Sequence, residues 1–346
     1  MYLRLDAICR TRMDYLSESA LSKRGTNRDA LPFAAAVIAT YNRRRDVEIC
    51  IDALMRQTAP LQAIYVVDNA STDDTEAIIR SRFDAKVRYF KLPKNTGSAG
   101  GFRAGLELAY KDGFDWIWIT DNDSLPLDDS LEELLAAAHE NPGVMALAPM
   151  KLRTGDGEIL NCDCIWDRTM DIVRNPTGRE YQECGTIDVD WVANTGLLLN
   201  REMIAKAGNL RADLFAFGED TEYCLRLRQH TRILVVPRSV VVHPNMGMGW
   251  PVPVKFLGKL YYTMRNEVYL GLRGLRPPRL TVSEAVWRWF RASVNILRKQ
   301  DYPLHRLLVV AVANYHGLVG RLGVAPPLVD KWTLGNQSGG TQTKIR

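Results

Sequence analysis

Apolar residues occur along this chain in short uninterrupted runs, separated by stretches in which apolar positions recur every three or four residues. Runs of about four to eight apolar residues are typical of buried strands, and the first two span 33–39 and 63–67. Between them, Val47, Cys50 and Leu54 fall on one face of a helix predicted over 45–55. This order predicts a βαβ unit, because the crossover is long enough to join two parallel strands.

The alternation continues towards residue 245. Helices are predicted over 71–82, from the glycine-rich stretch 95–102 through Tyr110, and over 221–229. Strands are predicted at 87–92, 116–120, 144–147, 189–191, 196–199, 233–236 and 240–242. Repeated alternation of strands and helices favours an α/β fold in three layers, with a mostly parallel central sheet flanked by helices.

The pattern divides the chain into four parts. Residues 1–30 show no sustained periodicity and are predicted to be an N-terminal extension, and residues 31–250 form the main α/β domain. Residues 251–334 are predicted to be a basic helical region, and 335–346 a flexible tail. From residue 251 onward the chain has 15 Lys and Arg residues against 4 Asp and Glu, within a whole-chain charge of +5. This asymmetry predicts a separate role for the basic part.

Composition narrows the class of protein. With 346 residues, 46% hydrophobic and 25% charged, the chain is an ordinary globular protein. The apolar run 307–313 is shorter than the ~18 residues of a spanning helix, and the first residues lack the apolar core of a signal peptide. We therefore expect a cytoplasmic protein. The six cysteines are expected to be free thiols, because the zinc set suggested by Cys162, Cys164 and Cys184 lacks an evident fourth ligand.

The most informative motif is Asp121-Asn122-Asp123, which ends the apolar run 116–120. An Asp-x-Asp pattern alone is typical of a turn, since Asp and Asn side chains bond to nearby backbone. At the end of a strand of an open α/β sheet it lies where such sheets bind ligands. Two carboxylates there also offer a partial shell for a divalent cation that contacts phosphates.

Several ordered motifs together resemble an inverting family 2 glycosyltransferase of the GT-A fold. They follow successive predicted strands and cover roughly residues 33–245: 39–43 (Ala-Thr-Tyr-Asn-Arg), 66–73 (Val-Val-Asp-Asn-Ala-Ser-Thr-Asp), 95–97 (Asn-Thr-Gly), 121–123 and 217–223 (Phe-Gly-Glu-Asp-Thr-Glu-Tyr). Within that family, 95–102 and the later Tyr-Tyr-Thr-Met-Arg-Asn at 261–266 resemble bacterial galactofuranosyl and rhamnosyl transferases of cell-surface polysaccharides.

The resemblance implies a nucleotide-sugar site. Asp68 would accept the N3–H of uracil or thymine, with the amide of Asn69 beside it. The remaining candidates for the nucleotide and its diphosphate are Thr40, Asn42, Asn95, Gly97, Arg103 and Asp121. Each also has a structural alternative: a strand-ending Asx turn for Asp68, helix capping for Thr40 and Asn42, close helix packing for the glycines, and an exposed helical arginine for Arg103.

The resemblance also implies the metal, the base and the acceptor side. His243, at the end of a β-like run, would join Asp121 and Asp123 around Mn²⁺ or Mg²⁺, with Mn²⁺ favoured by the nitrogen ligand. Asp220 would be the general base, with Glu219 as second candidate. Both acids also suit a helix N-terminus for purely structural reasons. Trp191 and Asn194, in a segment that also contains Thr195 and Gly196, would line the acceptor side, although buried tryptophan usually belongs to the core.

The predicted reaction is transfer of a sugar, with galactofuranose or rhamnose favoured, from a UDP- or dTDP-sugar to a glycan or polyprenyl-linked glycan. Two alternatives remain: a sugar-nucleotide pyrophosphorylase, whose Gly-rich loop after the first strand is absent from 40–45, and a non-catalytic glycan-binding protein of the same fold. No nucleic-acid module is evident.

The helix predicted over 286–298 has a basic stripe at Arg288, Arg291 and Arg298, opposite an apolar face with Trp289 and Phe290. Such a helix suits peripheral contact with an anionic membrane at the inner face of the cytoplasmic membrane. Docking of its apolar face on the main domain is the alternative.

Overall fold

The computed structural model describes residues 33–244, 257–299, 303–327 and 329. These residues form two compact units, one made of 33–212 and 220–244, the other of 213–219 and 257–329. The sequence pattern placed a boundary near residue 250 and did not predict that 213–219 belongs with the C-terminal unit. The predicted N-terminal extension and tail lie outside the described residues.

The first half of the larger unit alternates strands and helices as the apolar pattern predicts. Its strands are β1 (Ala34–Thr40), β2 (Ala63–Asp68), β3 (Val87–Lys91) and β4 (Trp116–Asp121). The helices between them are α1 (Arg44–Met55), α2 (Thr75–Arg82) and α3 (Gly97–Lys111). All three neighbouring strand pairs, β2–β3, β1–β2 and β1–β4, are parallel.

The second half is less regular. Its strands are β5 (Leu125–Pro126), β6 (Ala146–Arg153), β7 (Ile165–Asp167), β8 (Ile172–Arg174), β9 (Ile187–Val189), β10 (Leu197–Asn200) and β11 (Ile233–His243). Its helices are α4 (Ser130–Glu140), α5 (Gly178–Glu183), α6 (Arg201–Ala207) and α7 (Glu219–Leu227). The hairpin β7–β8 forms a separate small sheet.

The main sheet has the order β3-β2-β1-β4-β10-β6-β11-β5, and β9 also pairs with β11. Strand β10 runs antiparallel to both β4 and β6, whereas β6 and β11 are parallel to each other. Strands β5 and β9 pair antiparallel with β11. Six of the strands therefore point the same way, which confirms the mostly parallel sheet predicted from the sequence.

Hydrophobic side chains cover both faces of this sheet. Along β4, Ile117 and Ile119 enter the core on one face, and Trp118 enters the core on the other. Helix α3 approaches β1 closely at Gly105, where a Cβ atom would lie 2.2 Å from Cγ1 of Val37. A side chain at position 105 would push the helix off the sheet, so glycine is required there.

Among the elements that depart from the predicted bounds, three show a physical reason. Helix α2 begins at Thr75 rather than 71, because Oδ1 of Asp73 accepts a hydrogen bond from the Thr75 amide at 3.1 Å. Strand β6 continues beyond Leu147 because Lys151, which interrupts the apolar run, is fully buried and pairs with Asp163 at 2.6 Å. The two runs predicted near 233–242 form one strand with an irregularity between Val236 and Val240.

The smaller unit is helical: α8 (Leu257–Leu272), α9 (Val282–Lys299) and α10 (Pro303–Val319). Its core includes Leu257, Tyr261 and Val310. At Gly317 of α10, a Cβ atom would lie 2.7 Å from the backbone oxygen of Arg265, so α8 and α10 pack backbone to backbone. This is the helical C-terminal appendage predicted from the sequence. Over the described ranges, none of the helices has the length and hydrophobicity needed to cross a membrane.

Candidate functional site

Four of the candidate residues are the last residues of four strands. Thr40, Asp68, Asp121 and His243 end β1, β2, β4 and β11. Thr40 is in register with Asp68, and Asp121 is in register with Ala39 of β1. Because these strands point the same way, the sheet brings residues from distant parts of the sequence to its carboxyl edge, where α/β folds bind ligands.

Asp123 reaches His243 because the chain reverses after β4. The Ser124 amide donates to the Asp121 carbonyl at 3.1 Å. Strand β5 then pairs with β11, with Leu125 opposite Val242. His243 Nε2 consequently lies 2.9 Å from Asp123 Oδ1 and 3.9 Å from Asp121 Oδ2.

One ligand atom from each of these three residues lies within 4.8 Å of the other two. Within the described ranges no further group of three His, Cys, Asp or Glu side chains is close enough to hold a metal ion. The zinc set considered for Cys162, Cys164 and Cys184 is therefore not assembled. These three, together with Cys50 and Cys224, are free cysteines.

The imidazole of His243 is oriented by its other nitrogen. Nδ1 lies 2.5 Å from the Pro244 carbonyl, so Nδ1 carries the hydrogen and Nε2 faces the carboxylates. Burial acts to lower the pKa of His243, but the hydrogen bond to Asp123 and the charge of Asp121 raise it above the ordinary value. A proton or a cation between Nε2 and the acids is therefore favoured.

The two acids of the motif have opposite electrostatics. Burial, with the charges of Asp123 and Asp220, raises the pKa of Asp121 to about 6 against the opposing charge of His243. Burial also acts to raise the pKa of Asp123, but the hydrogen bond and charge of His243 hold it below the usual value. The two carboxylates place negative charge close together, and the imidazole adds a nitrogen ligand. This set of side chains fits a divalent cation that accepts both oxygen and nitrogen ligands.

Asp68, the predicted base contact, has two donors from the protein. Its Oδ1 accepts the Ser71 amide at 2.8 Å, and its Oδ2 accepts the hydroxyl of Tyr89 from β3. The residue is fully buried, so these contacts fix its carboxylate. The predicted contact with a base stays a prediction, and the bond to the Ser71 amide shows that Asp68 also holds the loop at the strand end.

Thr40 and Asn42 tie the first loop to its neighbours. The Asn42 amide donates to Ser71 Oγ, and Asn42 Oδ1 accepts the Thr72 amide, both at 2.8 Å. Thr40 Oγ1 accepts a hydrogen bond from the Asn122 side chain at 3.0 Å. The loops after β1, β2 and β4 are thus joined by side-chain hydrogen bonds.

Asn69 and Asn95 connect the loop after β2 to the start of α3. Asn69 Oδ1 accepts hydrogen bonds from the amide of Thr96 at 3.1 Å and from its hydroxyl at 2.9 Å. Asn95 Oδ1 accepts the amide of Gly97, whose φ of 74° suits glycine. These contacts bring the predicted diphosphate residues next to the β2 loop, although binding itself stays a prediction.

Two predicted residues have other surroundings. Arg103 is exposed and donates from Nη1 to the Leu210 carbonyl at 3.0 Å. Trp191 is 7% exposed and belongs to the core, so little of its ring is available to a sugar. The phosphate contact of Arg103 and the acceptor contact of Trp191 therefore stay predictions without support from their surroundings.

The segment before β10 reaches the turn that carries Asp121 and Asp123, called the acid turn below. Thr195 Oγ1 donates to Asp121 Oδ2 at 3.1 Å, because β10 begins beside the end of β4, with Leu197 opposite Ile119. Its neighbour Asn194 is 5% exposed, and Asn194 Oδ1 has no hydrogen-bond partner among the described residues. A buried acceptor atom without a partner is costly unless a ligand supplies the donor.

The acids of the Gly-Glu-Asp motif lie at the first two positions of α7. Asp220 Oδ1 accepts the amide of Thr221 at 2.7 Å, and its charge raises the pKa of Asp121. Glu219 is 5% exposed. Glu222 pairs with Arg226 at 2.8 Å, which leaves it a poor candidate for proton transfer.

Sequence reasoning missed the contacts of Thr195, Tyr89 and Asn122, although it placed Thr195 in the segment on the acceptor side. Their side chains hold Asp121, Asp68 and Thr40 respectively. Only the position of Asn122 between the two acids was a local signal. Thr195 and Tyr89 act across strand pairs, which no short motif reveals.

Comparison with known proteins agrees with this geometry. The family model described as Glycosyl transferase family 2 matches residues 35–179. The galactofuranosyltransferase GlfT1 of Mycolicibacterium smegmatis is 26% identical over 263 residues, covering 70% of this chain and 85% of the relative. The succinoglycan biosynthesis protein ExoO of Rhizobium meliloti is 27% identical over 132 residues, 38% of this chain and 37% of the relative.

Solved structures give the same fold. GalNAc-T7, crystallised with UDP, GalNAc and Mn²⁺, superposes with a TM-score of 0.55 at 16% identity, covering 85% of this chain and 57% of that one. Residues 1–349 of Staphylococcus aureus TarS give a TM-score of 0.51 at 14% identity, covering 84% and 82%. Residues 35–179 therefore form a glycosyl transferase family 2 domain, and the chain is a glycosyltransferase with the GT-A fold.

Proposed function

We propose that this glycosyltransferase moves a sugar from a nucleotide-diphosphate donor to a glycan or polyprenyl-linked glycan, with inversion at the anomeric carbon. The observation that carries the proposal is the assembly of Asp121, Asp123 and His243 at the carboxyl edge of the sheet, with Asp220 in electrostatic range of Asp121. Inverting transfer needs these two functions: a positive centre for the diphosphate and one base for the acceptor hydroxyl.

Asp121, Asp123 and His243 would hold the divalent cation. The imidazole nitrogen favours Mn²⁺ over Mg²⁺, which prefers oxygen ligands. When bound, the cation offsets negative charge on the departing diphosphate. Thr195 holds Asp121 through its hydroxyl, and Pro244 fixes the ring of His243, so both ligands are oriented by neighbouring groups.

Asp220 would take the proton of the attacking acceptor hydroxyl. A positioned base contributes roughly 100- to 10,000-fold to such a step. Its place at the start of α7 and near the acid turn supports this role. Glu219 remains the second candidate.

The loops after β1, β2 and β3 would bind the nucleotide. Thr40, Asn42, Asp68 and Asn69 lie in the first two loops, and Asn95 and Gly97 lie at the start of α3, with Arg103 as the weakest candidate. The hydrogen bonds that join these loops support a preformed site. On the acceptor side, the buried Oδ1 of Asn194 supports contact with a sugar hydroxyl better than the buried ring of Trp191 does.

The relatives support a role in polysaccharide biosynthesis. Their names describe a galactofuranosyltransferase and a protein of succinoglycan biosynthesis. We propose a UDP- or dTDP-activated galactofuranose or rhamnose as donor and a cell-surface polysaccharide as product. The galactofuranosyltransferase relative at 26% identity makes galactofuranose the first donor to test.

Helix α9 supports peripheral membrane contact. It docks in the smaller unit through Ala285 and Ile296, which are buried, while its bulky apolar side chains stay exposed. The exposed fractions are 45% for Val286, 57% for Trp287, 38% for Trp289, 56% for Phe290 and 61% for Leu297. We propose that this face lies on an anionic bilayer, with Arg288, Arg291 and Arg298 on the opposite, polar side of the same helix. An acceptor linked to polyprenyl would then be presented at that surface.

The experiment is a screen of purified protein against a panel of nucleotide sugars with Mn²⁺, repeated with Asp220→Asn and Glu219→Gln. Asp220→Asn keeps the shape of the side chain but removes its proton affinity. We expect turnover to fall about 100-fold or more while donor affinity stays near wild type.

Two outcomes would change the proposal. Normal turnover of Asp220→Asn together with loss in Glu219→Gln would move the base by one residue. Binding of nucleotide sugars without hydrolysis or transfer, across the whole panel, would favour a non-catalytic glycan-binding protein.

A further inference from the structure

The segment 213–219, directly before Asp220, has an unusual backbone. Phe215 and Phe217 both have φ of 64°, and Gly218 has φ of 93°. Positive φ is uncommon for residues other than glycine and persists only where surrounding contacts enforce it. The smaller unit supplies such contacts, because 213–219 is part of it.

Asn266 of α8 binds three carbonyls of this segment. Its Nδ2 lies 3.0 Å from the carbonyl of Leu214, 2.9 Å from that of Ala216 and 2.6 Å from that of Phe217. Asn266 is 1% exposed. The two hydrogens of one buried amide group are therefore shared among three carbonyls of the segment.

Arg265 orients that amide and adds a second tie. Its Nε donates to Asn266 Oδ1 at 2.9 Å, and its Nη2 donates to the Leu214 carbonyl at 2.7 Å. Its Nη1 donates to the carbonyl of Gly323, whose amide in turn donates to the Asp213 carbonyl at 2.7 Å. Arg265 is fully buried, so a rigid guanidinium fork fixes both Asn266 and the start of the segment.

We infer that Asn266, oriented by Arg265, is a positioning residue for Asp220. The segment passes without interruption into α7, whose second residue is Asp220. The backbone conformation at 214–218 therefore sets where α7 begins and how its first turn is directed. The inference rests on the proposed role of Asp220 as the general base. Arg265 and Asn266 of the smaller unit would then affect the reaction without contacting the substrate.

The test compares Asn266→Ala with Asn314→Ala. Asn314 is also buried in the smaller unit, but among the residues that the structure describes its Nδ2 donates only to the Val310 carbonyl within α10. Asn266→Ala removes the donor to three carbonyls. We expect it to lower kcat by about ten-fold or more, with metal-dependent donor affinity within about two-fold of wild type, since misplacing a base affects the chemical step. Asn314→Ala should keep wild-type kcat.

A double-mutant cycle with Asp220→Asn separates positioning from general damage. If Asn266 acts through Asp220, Asn266→Ala should lower kcat by less than about two-fold in the Asp220→Asn background. Additive losses would overturn the inference. The single variant Asp220→Asn reports on the proposed function separately, because full activity in that variant would reject Asp220 as the base whatever Asn266→Ala does.

A second pair of variants covers a failure of Asn266→Ala to fold. Gly218→Ala adds a methyl group at φ of 93°, where the nearest atoms are Leu270 at 3.4 Å and Asn266 at 3.7 Å. Gly274→Ala adds one at φ of 64° with Arg279 at 3.9 Å, in the same unit but outside the segment. We expect Gly218→Ala to lower kcat selectively. Equal kcat in the two variants would overturn the inference.

Discussion

At the scale of single residues, Asp121 and Asp123 show how one turn creates two different acids. Asp121 ends a buried strand and has a neutral donor, Thr195, whereas Asp123 is 2.9 Å from the imidazole of His243. Burial therefore determines the raised pKa of the first, whereas in the second the hydrogen bond and charge of His243, with the charge of Arg43, together outweigh burial and lower the pKa. Without a bound cation, the electrostatic energy of the site therefore depends on the protonation of these two acids, and so on pH.

This difference predicts opposite pH trends for two variants in metal-free protein. Folding raises the pKa of Asp121 from 3.8 to about 6, so the folded state binds the proton more tightly and stability falls as pH rises through this window. Asp121→Asn removes that loss. We therefore compare the free energy of unfolding of Asp121→Asn with that of wild type. Because the side chain is 33% exposed, we expect this difference to be about 1 to 2 kcal/mol more favourable to the variant at pH 8 than at pH 4.

Urea unfolding with a chelator present measures this gain. Asp123→Asn is the matched variant: the pKa of Asp123 is lowered by folding, so its ionised form adds stability above the unfolded pKa that is lost in acid. Its stability relative to wild type should therefore be lower at pH 8 than at pH 4. The same direction of change in both variants would contradict the electrostatic account.

The sequence revealed those site residues that belong to local motifs at strand ends. Asp121, Asp123 and Asp68 follow apolar runs, so their place at the sheet edge could be predicted. His243 and Asp220 were assigned by resemblance. The contacts of Arg103 and Thr195 could not be predicted, because each depends on a segment far along the chain.

At the scale of elements, long apolar runs and periodic helices were predicted well, and short elements were not. Strands β1, β2 and β4 have uninterrupted apolar runs, and the structure has them within about a residue of the prediction. The hairpin β7–β8 was missed because its residues are largely exposed and give no buried pattern. The strand predicted at 144–147 was too short, because a lysine argued against a buried continuation. In β6 the charge of Lys151 is neutralised by Asp163, a partner outside the strand.

Helix α9 gives a prediction about membranes. Each basic residue near an anionic bilayer contributes about 1 kcal/mol, and salt screens the attraction. Replacing Arg288, Arg291 and Arg298 by glutamine should weaken cosedimentation with anionic liposomes by roughly 100-fold at low salt. Transfer to a short soluble acceptor should be unchanged.

The matched control replaces three other exposed basic residues of the larger unit by glutamine: Arg80, Arg179 and Lys206. Their side chains are 60%, 80% and 47% exposed. That variant should bind liposomes as wild type does. Wild-type protein that fails to bind anionic liposomes even at low salt would show that the exposed face of α9 has another partner.

At the scale of the whole molecule, the metal site joins distant parts of the chain. Asp123 follows β4, and His243 ends β11, the last strand of the sheet. A ligand that binds only the folded protein stabilises it, by about 2.7 kcal/mol at a hundred times its dissociation constant. Saturating Mn²⁺ should therefore raise the melting temperature of wild-type protein by several degrees.

Asp123→Ala should abolish this increase and with it metal-dependent donor binding in calorimetric titration. Asp128→Ala is the control, because Asp128 is an exposed acid that pairs with Arg56 outside the metal site. An equal rise in melting temperature for both variants would remove Asp123 from the metal ligands.

Strand β5 has a further consequence for the molecule in solution. Edge strands with free backbone groups can pair with another chain and start aggregation, and short strands and proline prevent this. Strand β5 has only two residues, Leu125 and Pro126, and Pro126 has no amide hydrogen to offer. At the other edge, β3 carries Arg88 and Lys91, which are 40% and 39% exposed. The two-residue strand that brings Asp123 to His243 therefore also closes its part of the sheet edge to neighbouring molecules.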